Sequence, residues 1–181
     1  MMVRQNWQMY PQSISNEIIN NIIKDVGKTT KATTFNSEDD TAGRKSSVSW
    51  ITDISVLNLL YDYVEASNAN AFHVNLYRKA DIQYTEYNGN EKGHYDLHHD
   101  IDWTRNDGLD RKLSVTVQLS DPNEYEGGQF EFIECESPNA KELKQKGTVL
   151  IFPSYLQHKV NPVTSGIRKS LVAWFQGPKW I

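Results

Sequence analysis

Three histidines and two aspartates crowd into the run His94-Tyr95-Asp96-Leu97-His98-His99-Asp100, and one more histidine, His158, follows the apolar stretch at 147–152. Side chains two apart on a β-strand share a face, so His98 and Asp100 would present an imidazole and a carboxylate to the same point. With His158 as a third ligand, the set becomes two histidines and one carboxylate on one side of a metal. That arrangement suits non-haem Fe(II) and leaves positions open for a co-substrate and O2. His94 and Asp96 satisfy the same spacing, and strand parity does not choose between the two pairs. Taken alone, either pair reads equally well as a solvated polar turn.

Ten residues beyond His158 stands Arg168-Lys169-Ser170. Arg168 and Ser170 share a strand face, and a guanidinium beside a hydroxyl suits a fixed carboxylate held by paired hydrogen bonds. A metal triad and a carboxylate clamp together are what a 2-oxoglutarate site requires. The keto-acid end would meet the metal, and the far carboxylate would meet the guanidinium.

The run from His158 through Asn161-Pro162 and Arg168-Lys169-Ser170 to Trp174-Phe175 resembles the C-terminal signature of Fe(II)/2-oxoglutarate dioxygenases of the prolyl 4-hydroxylase-like type, the PKHD-type hydroxylases most of all. Tyr95-Asp96-Leu97-His98-His99-Asp100 is similar to that family's first motif, with an aromatic three residues ahead of the metal histidine. Gly127-Gly128 before Phe130, and Gly147 to Pro153 before the second histidine, match its spacing. The resemblance spans roughly residues 44–178 and favours His98/Asp100 over His94/Asp96. It implies a double-stranded β-helix, or jelly roll, of cupin-like form, with Fe(II), 2-oxoglutarate and O2 as cofactor and co-substrates and ascorbate as an accessory. It implies hydroxylation of a C–H bond, most naturally in a prolyl residue of a peptide or protein, with release of succinate and CO2.

By the same resemblance His98, Asp100 and His158 are the iron ligands. Arg168 pairs with the distal carboxylate of 2-oxoglutarate, Ser170 assists, and Tyr87 hydrogen-bonds the co-substrate. The chain departs from several members at Gln118, where a second co-substrate tyrosine would stand, which leaves that role open between Gln118 and its face-mate Thr116. Tyr95, Trp103 and Trp174 are the candidate substrate contacts. His99 points away from the metal. His73 is a core or surface histidine, and Cys135 has no neighbouring base to make it a nucleophile.

The elements that must position these residues fall into two parts. Ile14, Ile18, Ile19, Ile22, Ile23 and Val26 recur at helical spacing over 13–26, after an irregular arm at 1–12. Leu57, Leu60, Tyr61 and Val64 mark a second helix, with short strands expected near 32–35 and at 47–51. From residue 70 the grammar is that of strands, at 71–77, 81–87, 94–101, 113–119, 128–133, 147–152, 157–161 and 168–175, separated by turn signals. This predicts one mainly β domain over 1–181, a jelly-roll core at 70–178 carrying helical support from 1–69 on one face. Loops 36–44 and 103–110 are candidates for a lid or rim.

Composition narrows the partners. The chain has 181 residues, 19 Lys and Arg against 23 Asp and Glu, and a formal net charge of −4. Bulk electrostatic binding of nucleic acid is therefore disfavoured. A single cysteine excludes an intrachain disulfide and a Cys-rich zinc site. No apolar run approaches membrane-spanning length, and the N-terminus lacks a signal-peptide stretch, so a cytoplasmic location is expected. The aspartates at 96, 100, 102, 107 and 110 lack the spacing of a calcium loop. The competing readings are a jelly-roll module that binds metal or keto acid without turnover, and an oxygenase acting on nucleic acid or a small molecule.

Overall fold

The computed structural model describes residues 5–32 and 43–180. Two antiparallel sheets face each other. In the larger, β1 (Gln8–Tyr10), β10 (Val149–Pro153), β7 (Leu109–Gln118), β12 (Val163–Pro178), β5 (Ala80–Asn88), β4 (Ser47–Ile51) and β2 (Thr30–Lys31) lie side by side in that order, and β8 (Tyr125–Gly127) adds to β12. The smaller runs β3 (Arg44–Lys45), β6 (His94–His98), β11 (His158–Val160), β9 (Phe130–Phe132). The expected jelly-roll class is what the chain adopts.

Alternation along the central strands sets the architecture. On β7 and β12, Leu113, Val115, Val117, Leu171, Ala173 and Phe175 join a fully buried cluster with Ile82 and Tyr84 of β5. Against that face pack α1 (Asn16–Lys24), through Ile19 and Ile22, and α2 (Ile54–Ser67), through Val56, Leu60 and Val64 at successive turns. Each helix begins on a side-chain cap: Ser15 accepts from the Ile18 amide at 3.4 Å and Asp53 from the Ser55 amide at 2.7 Å. The intervening residues of the same strands look the other way, toward the small sheet. There Leu150, Phe152, Phe130, Phe132, Val160 and Val163 close a second apolar cluster. One strand pair thus serves two interiors.

The structure departs from the sequence expectations at several points. Residues 71–77 are not a strand. A single π-helical turn, Asn68–Phe72, extends α2, and His73 takes a left-handed backbone at φ 53°. The Asn68 side chain fixes this turn, donating to the Val74 carbonyl and accepting from its amide, each at 2.8 Å. Phe72, Val74 and Leu76 still reach the helix-side core, so their period-two signal reported burial and not a ladder. The irregular arm contains β1, three residues long and too short to show a period, paired on β10. The strand expected near 32–35 pairs instead at Thr30–Lys31 with Val48 and Ser47; residues 33–35, and 36–42 of the first candidate loop, lie outside the described residues. Strands from the first 51 residues complete both sheets. The strand at 94–101 ends at His98. The one at 168–175 begins at Val163, and the one at 113–119 begins at Leu109. A short helix, α3 (Ala140–Leu143), starts on an Asn139 cap that reads in the sequence as a plain turn.

Among the described residues no helix is long and apolar enough to cross a membrane. Leu60 is wholly buried between α2 and the large sheet. Leu60→Ala is expected to lower the unfolding free energy by about 2–5 kcal/mol, measured by urea denaturation. A cost below about 1 kcal/mol would mean the helix layer does not brace the sheet.

Candidate active site

His98 closes β6 and His158 opens β11, and the two are paired residues in the small sheet. Asp100 lies two residues past the end of β6, held there by its own amide, which donates to the Ser154 carbonyl at 2.9 Å. The shared face expected of His98 and Asp100 is therefore achieved by a strand end and the chain beyond it, not by an unbroken strand. His98 Nε2 stands 3.5 Å from Asp100 Oδ1, and His158 Nε2 stands 3.6 Å from Oδ2. One ligand atom from each residue falls within 4.8 Å of the others, and this is the only such group of three among the described residues. Atoms each about 2 Å from one ion at right angles would lie about 3 Å apart, so little adjustment is needed.

The donor chemistry suits a divalent metal. His98 Nδ1 donates to the Asp96 carbonyl at 2.7 Å and His158 Nδ1 to the Leu156 carbonyl at 2.9 Å. Both N–H groups are thus committed to backbone oxygens, which leaves the Nε2 lone pairs facing the site. Burial pushes the His158 imidazole down to about 4, against the opposing pull of Asp100, so it is neutral near pH 7. Burial also acts to raise Asp100, but His158, His98 and Ser114 outweigh it and hold the carboxyl well below the usual carboxylate range. Ser114 Oγ donates to Asp100 Oδ2 at 2.6 Å and meets Ser154 Oγ at 2.9 Å, while Arg111 Nη1 donates to the Asp100 carbonyl at 3.3 Å.

The competing pair sits elsewhere. His94 Nε2 is 3.7 Å from Asp96 Oδ1, but Asp96 is largely exposed and no third ligand joins them among the described residues. His99 turns from the metal set toward Trp103, with ring centroids 6.2 Å apart.

Across the sandwich, Arg168 faces the metal set from β12. It is 2% exposed, its Nη1 donates to Ser170 Oγ at 3.4 Å, and its guanidinium lies 5.4 Å from the Tyr87 ring centroid. Among the described residues it has no carboxylate within ion-pairing distance. A buried guanidinium opposed only by hydroxyls and an aromatic face is costly unless an anion joins it. Gly128 makes room for the arginine stem: at φ +66° a Cβ would stand 2.9 Å from Arg168 Cδ. The Gly127-Gly128 pair noted in the sequence is therefore a cradle for the clamp.

Metal set and clamp open into one narrow cleft, lined also by Tyr87, Tyr95, Thr116 and Trp174. Gln118, cross-strand from Ser170, lines a neighbouring space on the Gly128 and Tyr125 side of Arg168 and not the metal cleft. Its buried Nε2 has no hydrogen-bond partner among the described residues. Tyr95 stacks on His98 at 3.5 Å between ring centroids, and burial pushes its phenol up to about 12, so it stays neutral. Trp103, 63% exposed, lines an outer groove with Leu97 and His99 that shares Tyr95 and His98 with the metal cleft.

The second candidate loop is braced. Arg105 pairs with Asp107 at 2.7 Å and reaches Gln176 at 3.3 Å, while its carbonyl accepts from Lys179 Nζ at 2.8 Å.

Sequence reasoning missed three residues here. Arg44, on the two-residue β3, lines the cleft, donates to Gln83 Oε1 at 2.8 Å and covers the Tyr95 ring at 4.6 Å. Arg111 stacks 4.1 Å over Trp174. Ser114 shares strand parity with Thr116 and Gln118, a signal that points to it; a two-residue strand offers none for Arg44.

Residues 82–176 match the family model described as the 2OG-Fe(II) oxygenase superfamily. A PKHD-type hydroxylase, IL0759 of Idiomarina loihiensis, is 31% identical over 107 residues, 59% of this chain and 48% of that protein. The chain thus spans about half the length of that curated relative. Among solved structures, a viral collagen prolyl hydroxylase from Paramecium bursaria Chlorella virus-1 in complex with 2OG superposes with a TM-score of 0.71 at 18% identity, over 96% of this chain and 97% of that one. A Trichoplax adhaerens prolyl hydroxylase, in complex with a hypoxia inducible factor oxygen degradation domain peptide, gives 0.70 at 16% identity over 94% and 83%. These two share the fold. With the family match covering more than half of its residues, the chain belongs to the 2OG-Fe(II) oxygenase superfamily.

Proposed function

We propose that the chain is a 2-oxoglutarate-dependent dioxygenase that hydroxylates a C–H bond in a polypeptide, a prolyl residue above all, releasing succinate and CO2. The observation that carries this reading is the cleft where His98, the neutral His158 and the ionised Asp100 face a buried guanidinium that has no carboxylate within ion-pairing distance among the described residues. The polypeptide substrate draws on the viral collagen prolyl hydroxylase and the peptide complex that share the fold. Ascorbate would act as an accessory reductant outside the coupled reaction.

His98, Asp100 and His158 would hold Fe(II). Ser114, by donating to Asp100 Oδ2, keeps that carboxylate oriented and ionised. Arg168 and Ser170 would take the distal carboxylate of 2-oxoglutarate, with Tyr87 and Thr116 along the path between. Gln118 offers its unpartnered Nε2–H from behind Arg168. When bound, the ferrous ion and the keto acid supply the oxidising chemistry with O2, and the protein supplies orientation and a dry surround. Tyr95, Trp174 and Arg111 would form the wall that a substrate residue meets at the cleft.

Three outcomes test this assignment. His158→Ala is expected to lose high-affinity Mn(II) binding, followed by the EPR signal of free Mn(II), and to lose succinate release. Retention of both would remove the triad. Arg168→Gln, in Mn(II)-loaded protein, is expected to weaken 2-oxoglutarate binding by about 10- to 100-fold in calorimetry while leaving Mn(II) affinity intact. Unchanged 2-oxoglutarate affinity would place the distal carboxylate elsewhere. Gly128→Ala should weaken 2-oxoglutarate binding in the same direction, because the added methyl meets Arg168 Cδ and Val163 Cγ2 at 2.9 Å; unaltered affinity would show that the clamp does not depend on the cradle.

A further inference from the structure

Trp50, on β4, is paired with Gln83 of β5, whose side chain meets Arg44 in the cleft wall. Its ring lies 6.2 Å from that of Trp174, yet Trp50 is 58% exposed. Round the sheet edge at Trp50, on the side where α1 and α2 pack, the surface opens into two grooves that share Trp50 and residues 51–53. One runs between α1 and the start of α2, floored by Ile18, Ile22, Val56 and Leu59. The other is floored by Ile54, Leu57 and Ile82. Ile18 and Ile54, 39% and 64% exposed, stand at their margins.

Among the described residues, every charged side chain lining either groove is a carboxylate: Asp25, Asp53 and Asp81. Asp81 already faces Arg111 at 3.6 Å and Arg105 at 3.9 Å. Asp25 and Asp53 are exposed and take part in no ion pair among the described residues. An apolar floor with only negative charge at its edge is complementary to an apolar segment that carries a cation.

We propose that this surface is an exosite for the polypeptide substrate, receiving a flanking segment in which a bulky aliphatic side chain neighbours a lysine or arginine. The proposal rests on the polypeptide reading above. An extended chain advances about 3.3 Å per residue, so a substrate lying over Trp174 reaches Trp50 within about two residues and there turns round the sheet edge into the grooves. Selectivity would then reside in residues beside the hydroxylated one, and Trp50 is the hinge between chemistry and recognition.

Fluorescence anisotropy with the Mn(II)-loaded full chain tests this directly. The probes are two labelled peptides, each with a central proline, flanked in one by alternating Leu and Lys and in the other by alternating Leu and Glu. The Leu/Lys peptide should bind wild type and lose about tenfold or more in affinity to Ile54→Lys and to Asp25→Lys. The Leu/Glu peptide should bind wild type far more weakly. Ile54 and Asp25 are exposed and lie outside the metal cleft, so 2-oxoglutarate affinity should be unchanged in both variants, which reports intact folding. Equal affinity of wild type and both variants for the Leu/Lys peptide, or of wild type for the two peptides, overturns the exosite. Hydroxylation of a prolyl peptide at a rate indifferent to Ile54→Lys also overturns it and leaves the polypeptide substrate standing. Groove-dependent binding with no hydroxylation of any bound peptide overturns the substrate reading instead.

Discussion

Asp100 is an ionised carboxylate with almost no access to water, and much of the surrounding architecture answers that fact. A lone charge in such a place would be neutralised by proton uptake. Here two imidazoles approach within 3.6 Å, Ser114 donates at 2.6 Å, and Arg111 binds the residue's own carbonyl. These partners come from three strands distant in the chain: the end of β6, the start of β11, and β7. Closing the sandwich is what collects them. The metal set is accordingly a product of the whole fold and not of the seven-residue run that first draws attention.

The opposite wall holds the reverse problem. Arg168 is a buried cation whose compensation within the described chain is a hydroxyl, two tyrosines and space. A metal set with open coordination positions thus faces a buried cation that lacks an anion among the described residues. A diacid that ligates a metal at one end and meets a guanidinium at the other would resolve both. This is a division of labour in which strands β7 and β12 supply apolar side chains to the helices on one face and polar ones to the cleft on the other. A register slip of one residue would exchange the two faces and abolish both core and site. The many-residue pairing of β12 with β5 and β7 resists such a slip.

Strand alternation made the mainly β class legible, and the family resemblance pointed to the jelly roll and to His98, Asp100, His158 and Arg168; the structure brings the first three together and sets Arg168 across the cleft from them. The sequence carried less where geometry comes from backbone turns. Nothing in 71–77 announces that Asn68 will hold a π-turn and free those residues from a ladder. Nothing in a three-residue run announces β1. Arg44 reached the cleft on a strand of two residues whose register with Tyr95 is a tertiary fact. Gln118 and Thr116 were indistinguishable by parity, and the structure separates them: Thr116 lines the metal cleft and Gln118 the space beside Arg168. Trp103, expected at the rim beside the metal strand, lines a groove that adjoins the metal cleft through Tyr95 and His98.

The central claim is that three side chains share one ion opposite an anchor for a diacid. Anomalous diffraction from crystals soaked with Mn(II) and a non-reactive 2-oxoglutarate analogue tests it most directly. The account predicts a single strong peak within bonding distance of the Nε2 atoms of His98 and His158 and of an Asp100 oxygen, with the analogue's far carboxylate on Arg168. A peak at His94 and Asp96, or an analogue whose carboxylate avoids Arg168, would contradict it.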